Sequence, residues 1–509
     1  MTRFRKLYTM VGAAALMVGS GCGDLEVTNP NNPDVERALA SANDVKNLSI
    51  STLNSWYLTS TYVEPFHSAS VTADMHSANF GNFGMRFNNL EPRLPYENLS
   101  AGGDRETARY PWDSNYGTLG AANDAVKAFA GGLSLGSTAE TNKYKHLAMF
   151  SQAASLMNLA LWFDKAFVVD ETFDPTGPRP ELKPFAEVSA AALAKWEALA
   201  ASTSGNTATY TQVELPMVGN LTGAKLNRLA NTFAALTMAY TPRNAAQNAA
   251  VNWAKVATLA DKGIGTGSAG APFDMVIQGD NTNWYSYIAA YGGEHSWIRI
   301  DHRLINLMDG TTPPKFNGTV PPKGTSPDAR YETDFQYCQS SNPAPSTGVA
   351  SCVSSTIGDP GRGIYMQTSW FHKRHSSHAR TTPGTAYRTA VPYILAADSD
   401  LIRAEALIRS GGSKATAAAL INNSRVGRGK LAALTGAETN EVLLTAIDYE
   451  RQVELVSSNG FELQRARQGL TSRLQVGTYR QLPIPAKELE TLGLPIYTFG
   501  GATANPTGM

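Results

Sequence analysis

Apolar residues recur along most of the chain at the spacing of one face of an α-helix. Residues at i, i+3 and i+7 lie on one side of a helix, so such stripes predict amphipathic helices that bury that side. The stripes comprise Tyr116, Leu119, Val126 and Phe129; Leu147, Phe150, Ala154, Met157 and Leu161; Leu226, Leu229, Phe233, Leu236 and Tyr240; Leu401, Ala404 and Ile408; and Leu444, Ile447 and Leu455. Strand-like alternation is scarce, so the sequence predicts a mainly α-helical protein.

The predicted helices come in pairs. Gly411-Gly412 is expected to end the fourth stripe and Asn459-Gly460 the fifth. Paired amphipathic helices bury their stripes when they stack as tetratricopeptide repeats do. The stretches 62–111, 265–296 and 309–392 lack a helical pattern, and loops of that length are usually functional. We therefore expect a single domain of stacked helix pairs with a large loop-rich face.

The N-terminus has the order of features of a secretory signal. Three cations within the first six residues precede an uncharged apolar stretch, and small residues at 19–21 come directly before Cys22. A cysteine at this place resembles the lipidation site of a bacterial lipoprotein; an ordinary signal with an incidental cysteine is the alternative. We expect residues 1–21 to be removed, Cys22 to carry the lipid, and the polar residues 22–34 to form a tether.

Charge and cysteine content narrow the class of protein further. The full sequence holds 43 cations and 43 anions, and removal of residues 1–21 leaves a net charge of −3. This balance argues against a nucleic-acid partner, which requires a basic surface. Once Cys22 is assigned to the lipid, Cys338 and Cys352 remain, and an oxidising compartment would let them form a disulfide. Two free thiols are the alternative.

The C-terminal third carries an ordered set of short motifs. They are Pro392-Tyr393-Ile394-Leu395, Ile402-Arg403-Ala404-Glu405-Ala406, Ile421-Asn422-Asn423-Ser424-Arg425, Glu450-Arg451-Gln452-Val453-Glu454-Leu455, and Leu482-Pro483-Ile484-Pro485 with Glu488. Upstream lie Trp112, Tyr116 and Asn123, then Asp301-His302-Arg303-Leu304. In this order and spacing the set resembles the SusD/RagB family of outer-membrane nutrient-binding lipoproteins.

The resemblance implies a fold, a function and a partner. Family members are helical, with tetratricopeptide-like units and a loop-rich ligand face. They capture an oligosaccharide or peptide as the lid of a TonB-dependent (SusC-like) outer-membrane transporter, and they do no bond chemistry. The resemblance therefore implies that residues 35–509 form a nutrient-binding domain, lipid-anchored at the cell surface, with no enzymatic activity. We expect no cofactor and no metal.

The charged residues of the motifs are predicted to be structural, because they lie on helices beside apolar stripes. They are Arg403, Glu405, Glu450, Arg451 and Glu454. Where the family often has a Glu-Gly-x-Arg-x-x-Asp sequence, this chain has Glu462 and Arg465, with the charges inverted. Their i, i+3 spacing still allows an ion pair on one helix face.

Two short motifs suggest chemistry that their context does not favour. Gly132-Leu133-Ser134-Leu135-Gly136 has the form of a nucleophile elbow, but that elbow needs a preceding strand, and here a helix precedes and Ser137 is placed to start another. His372, His375 and His378 could supply three metal ligands, yet Lys373 and Arg374 would repel a cation. We interpret the first as a loop between helices and the second as a solvated or ligand-facing loop without a metal.

The loops are rich in large aromatic residues mixed with short polar ones. Aromatic faces fit the apolar C–H faces of sugars, and amide, carboxylate and guanidinium groups suit their hydroxyls. We therefore expect an oligosaccharide site on the loop face built from 74–86, 283–297 and 365–371. The predicted ligand residues are Asp74, Asn79, Phe80, Arg86, Trp284, Tyr285, Trp297 and Trp370. Phe83, Tyr287, Tyr291, Tyr365 and Phe371 accompany them.

The alternative for each aromatic residue is that it packs the loop onto the helices. If the rings bind ligand, Trp284→Ala and Trp370→Ala should weaken glycan binding and leave the melting temperature nearly unchanged. Three other functions stay open: a binder of peptide or another non-sugar nutrient, a structural surface lipoprotein that makes only protein contacts, and an exported hydrolase. The absence of a recognisable nucleophile or metal motif argues against the hydrolase.

Overall fold

The computed structural model describes residues 39–78, 84–103, 105–174, 176–267, 269–292, 298–317, 321–337, 368–379, 384–468 and 474–501. Its helices are α1 (Ala42–Ser60), α2 (Val63–Thr72), α3 (Met85–Asn88), α4 (Glu106–Ala130), α5 (Thr138–Trp162), α6 (Phe185–Ser202), α7 (Gly223–Tyr240), α8 (Ala245–Ala249), α9 (Trp253–Asp261), α10 (Tyr287–Gly292), α11 (His302–Asp309), α12 (Arg330–Thr333), α13 (Ala396–Arg409), α14 (Lys414–Arg425), α15 (Asn440–Val453), α16 (Glu462–Ala466) and α17 (Ala486–Leu492). Its strands are β1 (His76–Ser77), β2 (Lys165–Phe167), β3 (Leu182–Pro184), β4 (Met275–Gln278), β5 (Arg299–Ile300), β6 (Phe335–Tyr337), β7 (Trp370–His372) and β8 (Ala390–Ile394).

The stripes of apolar residues lie on the helices that they predict. The stripes beginning at Tyr116, Leu147, Leu226 and Leu401 fall in α4, α5, α7 and α13, where their side chains lie mainly in the core. The Ser137 hydroxyl caps α5 by accepting a hydrogen bond from the Glu140 N–H at 3.1 Å, and Thr222 caps α7 in the same way. The end of α15 is different from the prediction: the helix stops at Val453, so Leu455 lies beyond it.

Successive long helices pack side by side, as stacked helix pairs require. Helix α5 packs between α4 and α6, α7 follows against α6, and α14 and α15 flank α13. Rings join the first layers: Phe150 of α5 lies 4.9 Å from Trp56 and 5.0 Å from Trp196 between ring centroids. Trp196 stacks on Phe233 at 4.9 Å. Such aromatic pairs contribute about 0.5–1.5 kcal/mol each beyond their burial. The expected mainly α-helical architecture is confirmed.

Short antiparallel ladders fasten the long irregular segments to the helices. The strand pairs are β1 with β5, β2 with β3, β4 with β8, and β6 with β7. In the β4–β8 pair, Ile277 lies opposite Val391, and both side chains are buried. This pair connects the segment before α10 to the strand that leads into α13.

The stretch 62–111 is less irregular than the sequence predicts, because it contains α2 and the start of α4. Every residue of α2 is buried, including Glu64 and His67. A helix that is enclosed on all sides needs no polar face, so it leaves no amphipathic stripe in the sequence.

The charged residues of the C-terminal motifs join helices, as predicted. Arg330 of α12 is fully buried and contacts Asp328 at 2.7 Å, Glu450 at 2.7 Å and Glu454 at 3.1 Å. Removal of one partner from such a buried pair typically costs about 3–5 kcal/mol, since the other charge is left without compensation.

Two further buried arginines fix the C-terminal helices in the same way. Arg451 of α15 pairs with Glu405 of α13 at 2.7 Å. The ion pair with inverted charges is present too: Arg465 lies 3.7 Å from Glu462 and 3.5 Å from Asp398, and all three side chains are buried.

The turn just before this pair contains Gly460, which has a φ of +74°, and a Cβ there would lie 2.6 Å from the Phe66 ring. The turn therefore needs glycine.

None of the helices in the described ranges is both long enough and apolar enough to cross a bilayer.

Candidate ligand-binding site

Six tyrosines from four separate segments form one partly exposed cluster, which we call the tyrosine patch. Its members are Tyr62, Tyr110, Tyr285, Tyr287, Tyr291 and Tyr387. Tyr62 and Tyr110 stack with their ring centroids 3.9 Å apart. The Tyr287 ring then lies 4.8 Å from Tyr62 and 5.0 Å from Tyr285. Tyr387 continues the series 5.4 Å from Tyr285, and Tyr291 lies almost parallel to Tyr287 at 5.9 Å. Half-buried rings in series give an extended aromatic surface.

Helix α10 places two of these rings beside the turn between α1 and α2. Tyr287 and Tyr291 are four residues apart, so they lie on one face of the helix. The first turn of α10 is fixed by two hydrogen bonds: the Ile288 N–H donates to the Thr61 carbonyl at 2.8 Å, and the Ile288 carbonyl lies 3.2 Å from His67 Nε2. In the turn between α1 and α2, the residue directly after Thr61 is Tyr62.

The loop before α10 is held by a carboxylate. Asp280 accepts hydrogen bonds from the backbone N–H groups of Thr282, Asn283 and Trp284, each at 2.8 Å. Burial alone would raise the pKa of Asp280, but these three donors outweigh it and lower the pKa. The carboxylate is therefore charged at neutral pH, and it fixes the backbone just ahead of Tyr285.

Close approach of two loops brings Tyr387 to the patch. A Cβ at position 279 would lie 2.2 Å from the Tyr387 carbonyl oxygen, so Gly279 permits the contact. The Gly279 N–H donates to the Thr389 carbonyl at 3.0 Å, which keeps the loops together. Rings from distant parts of the sequence are thus held in fixed positions, and this limits the entropy lost when a ligand binds.

The patch offers hydroxyl donors rather than charges. Burial raises the pKa of Tyr110 to about 12, and the pKa values of Tyr62 and Tyr287 are raised by the same cause. Near neutral pH these hydroxyls therefore keep their protons, and each can donate and accept a hydrogen bond. The Tyr285 and Tyr287 hydroxyls lie 3.1 Å apart. Flat rings with neutral hydroxyl rims suit a ligand with apolar faces and many hydroxyl groups.

The structure brings some of the predicted ligand residues to this patch. Tyr285 is a member, and so are Tyr287 and Tyr291. Arg86 is exposed on α3. Binding of a ligand by Tyr285 or Arg86 stays a prediction.

Other predicted residues lie in the protein interior. The Trp370 ring is fully buried against Tyr331 and Tyr337, at 4.8 and 5.1 Å. Trp284 is 6% exposed and packs against Tyr57 at 5.7 Å. Both rings belong to the hydrophobic core, so the expectation that they present a face to ligand is corrected: they pack the loops onto the helices.

The Asp74 carboxylate is also occupied by contacts with other side chains of the protein. Its carboxylate contacts Arg93 at 2.6 Å and Arg303 at 3.4 Å, and it accepts hydrogen bonds from Gln475 at 2.9 and 3.0 Å. The side chain is buried, because it joins the end of α2 to α11 and the C-terminal segment. This network is structural, and it leaves Asp74 no open side toward a ligand.

Several sequence predictions fall on residues outside the described ranges. They are Cys22, Asn79, Phe80, Phe83, Trp297, Cys338, Cys352 and Tyr365.

Sequence reasoning missed Tyr62, Tyr110 and Tyr387. Tyr62 and Tyr110 lie at or just inside helix starts, and Tyr387 lies in a turn with a φ of +60°. A tyrosine at such a boundary does not belong to a repeating pattern of apolar residues, so the sequence pattern does not single it out. The contacts that bring these three rings together join parts of the chain that are far apart in sequence.

The two suspected catalytic or metal motifs have structural roles. Residues 131–136 form the loop between α4 and α5. His372, His375 and His378 are all buried, so the expectation that they lie in a solvated or ligand-facing loop is wrong. Burial lowers the pKa of His375 to about 3 and that of His378 to about 4. His375 Nε2 contacts the Ser457 carbonyl, and the His372 Nδ1 accepts from the Arg374 N–H at 3.0 Å. Over the part of the chain that the structure describes, no group of three or more His, Cys, Asp or Glu side chains is arranged to hold a metal.

Comparison with known proteins identifies the fold. No protein-family model matches the chain, and no curated protein matches it. Among solved structures, a SusD superfamily protein from Parabacteroides distasonis is similar with a TM-score of 0.61 and 13% identity, covering 88% of this chain and 97% of the other. A laminarin-binding SusD-like protein has a TM-score of 0.60 and 15% identity, covering 90% and 98%. Surface glycan-binding protein A from Bacteroides uniformis has a TM-score of 0.59 and 14% identity, covering 90% and 99%.

These matches span nearly the whole length of the solved structures. At such low identity they show a shared fold, and the resemblance to the SusD/RagB family noted in the C-terminal motifs is confirmed at that level.

Proposed function

We propose, on the basis of the SusD fold and the tyrosine patch, that this chain is a cell-surface lipoprotein that captures an oligosaccharide and delivers it to a TonB-dependent outer-membrane transporter. The observation that carries the proposal is the series of partly exposed tyrosine rings at the start of α2, on α4, on and just before α10, and in the turn before β8. Neighbouring rings are 3.9 to 5.9 Å apart between centroids, and burial raises the pKa values of Tyr62, Tyr110 and Tyr287, so these three hydroxyls stay neutral at physiological pH.

The ligand class follows from the chemistry of the patch. Sugar rings can stack on the tyrosines, and their hydroxyls can exchange hydrogen bonds with the phenol groups. Stacking of nucleic-acid bases on protein rings is worth about 1–3 kcal/mol per ring, and we expect stacking of sugars to be no stronger. Useful affinity therefore needs several rings at once, and this favours a chain of sugars over a single one. Structures with the same fold include proteins described as glycan-binding and laminarin-binding.

Calorimetry of the wild-type protein against a panel of neutral glycans, laminarin oligosaccharides among them, tests the proposal. Tyr62→Ala and Tyr287→Ala should each weaken binding about 5- to 100-fold, which corresponds to the loss of one ring. Tyr497→Ala is the matched control, because Tyr497 is also half-buried but packs on Phe499, outside the patch.

The melting temperature of each variant separates a ligand role from a packing role. Unchanged affinity in Tyr62→Ala and Tyr287→Ala would show that the patch is not the site. If no glycan binds the folded wild-type chain, a peptide or another non-sugar nutrient becomes the better candidate ligand.

The anchor and the partner require experiments in cells. Mass spectrometry of the mature N-terminus should find an acylated Cys22, and Cys22→Ala should release the protein from the membrane, because two or more acyl chains hold a protein stably. Affinity purification from the native host should recover a TonB-dependent transporter with the wild-type chain. An unmodified Cys22, or a mature chain that begins elsewhere, would contradict the lipid anchor.

A further inference from the structure

We propose that His378 is a positioning residue of the tyrosine patch, because its imidazole joins the loop before α10 to the turn before β8. The Ser286 N–H donates to His378 Nε2 at 3.4 Å, and Ser286 lies between Tyr285 and Tyr287. On the other side of the ring, Nδ1 lies 3.1 Å from the Thr389 hydroxyl. The ring therefore bridges two of the segments that form the patch. Its importance for a ligand rests on the proposed glycan function, whereas its hold on the loop does not.

The contacts of His378 require a neutral ring that carries its proton on Nδ1. A backbone N–H can only donate, so Nε2 must present its lone pair to Ser286. The proton then lies on Nδ1, where the Thr389 hydroxyl can accept it. A second proton, on Nε2, would set two N–H groups against each other and break the link to Ser286. His378 is 1% exposed, so a charge on the ring would also be poorly solvated. The imidazole can hold the loop only while it is neutral.

The backbone on both sides of this ring is fixed as well. The His378 N–H donates to the His375 carbonyl at 2.9 Å, and His375 Nε2 contacts the Ser457 carbonyl after α15. The Tyr387 N–H donates to the His378 carbonyl at 3.2 Å, and the two rings lie 6.0 Å apart and nearly perpendicular. A continuous series of hydrogen bonds thus runs from the segment after α15 to the tyrosine patch.

The charged and titratable groups around the ring do not favour its protonation. They are Asp280, Tyr285 and Tyr287 from the loop and α10, Tyr387 and Arg388 from the turn before β8, and Arg374 and His375 from its own segment. The Asp280 carboxylate is occupied by three backbone N–H groups of its own loop. Within the described ranges no carboxylate lies at ion-pair distance from His378. Burial lowers the pKa of His378 to about 4, so the ring is neutral at physiological pH and becomes charged only in acid.

Hydrogen exchange of the unliganded protein tests the hold on the loop. His378→Ala should speed exchange across residues 283–292 about three- to tenfold at pH 7, as expected for the loss of one neutral hydrogen bond. His378→Gln offers an amide oxygen and an amide N–H in place of the two ring nitrogens, so it should restore most of the protection.

His146→Gln is the matched control for a buried histidine elsewhere. His146 is 0% exposed, and burial lowers its pKa to about 4 as well. Its Nε2 lies 2.8 Å from the Ser202 hydroxyl at the end of α6, outside the patch. Exchange across residues 283–292 should therefore match the wild type in this variant.

Calorimetry with laminarihexaose tests the consequence for binding. His378→Ala should weaken binding about three- to tenfold at pH 7, because Tyr285 and Tyr287 lose their fixed positions, and His378→Gln should recover most of this affinity. The wild-type binding constant should fall about fourfold from pH 6 to pH 3.5, since only about a quarter of His378 stays neutral at pH 3.5. His378→Gln should lack this part of the pH dependence, and His146→Gln should keep it.

The proposal is overturned if His378→Ala leaves exchange across residues 283–292 unchanged, or if His378→Gln has the same effect as His378→Ala. It is also overturned if the wild type and His378→Gln share one pH dependence, or if His146→Gln reproduces the effects of His378→Ala. If His378→Ala does not fold, the comparison of the wild type with His378→Gln over pH still decides. If exchange behaves as expected but no glycan binds the wild type, the hold of His378 on the loop stands and the proposed glycan function is contradicted.

Discussion

The surroundings of Trp370 and the tyrosine patch are two aromatic clusters, and each takes rings from the long loops. In the first, Tyr331 and Tyr337 enclose an indole that is 0% exposed. In the second, every ring keeps part of its surface in contact with solvent. The comparison shows that a high aromatic content marks a loop as important but does not distinguish a packing role from a ligand-binding role. Burial of the individual ring decides whether it holds the fold together or is free to meet a ligand.

The largest expected effect is on stability, when the enclosed ring is removed. Trp370→Ala should lower the free energy of unfolding by about 3–5 kcal/mol, because the indole leaves a cavity that the core cannot refill. Trp284→Ala should also destabilise the fold, by a smaller amount, since its ring is packed on one side by Tyr57. Phe173→Ala is the control, because that side chain is 39% exposed. Urea unfolding measures all three, and an unchanged midpoint for Trp370→Ala would contradict its place in the core.

The sequence predicts the structure best where apolar residues repeat along one face of a helix. The stripes from Leu147 to Leu161 and from Leu226 to Tyr240 specify α5 and α7, because burial of one face imposes a period on the residues. The charges at Glu405 and Arg451 were also interpreted correctly, because they lie on helices beside such stripes. Helix α2 escaped prediction because it is buried on every side.

The candidate site was harder to predict than the fold. Tyr285 lies in the expected loop, but two other members of the patch, Tyr62 and Tyr387, come from positions more than 300 residues apart in the chain. A single sequence gives no signal for such a contact. The tryptophans Trp284 and Trp370 were favoured for their size, although large rings gain most from burial, and this is where the structure places both.

The effect of intermediate size is a pH dependence. It should change the stability contributed near Trp370 but not the glycan affinity of the tyrosine patch. Burial lowers the pKa of His375, near β7, to about 3, whereas an unfolded histidine titrates near 6.5. Between these values the unfolded chain binds the proton and the folded chain does not, so the contribution of His375 to stability is complete above about pH 6.5 and is lost as the pH falls toward 3. Between about pH 7 and pH 5.5 the loss should be about 1 kcal/mol.

His375→Gln removes this proton but keeps a donor for the Ser457 carbonyl. The difference in unfolding free energy between wild type and variant should therefore shrink by that amount as the pH falls, in urea melts at each pH. The raised pKa of Tyr110 predicts in contrast that glycan affinity at the patch is flat over the same range. A constant difference between wild type and His375→Gln would show that the imidazole is protonated equally in both states.

The smallest effect concerns one oxygen atom in the patch. Tyr285→Phe keeps the ring but removes the hydroxyl that lies 3.1 Å from the Tyr287 hydroxyl. If the rings hold the ligand mainly by stacking, affinity should fall only about two- to tenfold, since one neutral hydrogen bond contributes about 0.5–1.5 kcal/mol. Tyr285→Ala removes the stacking surface as well and should cost more. The half-buried ring at position 285 contributes little to the core, so neither variant should shift the melting temperature as Trp370→Ala does. Equal losses for Tyr285→Phe and Tyr285→Ala would mean that the hydroxyl, not the ring face, meets the ligand, and the patch would then act as a row of hydrogen-bond donors rather than as a stacking surface.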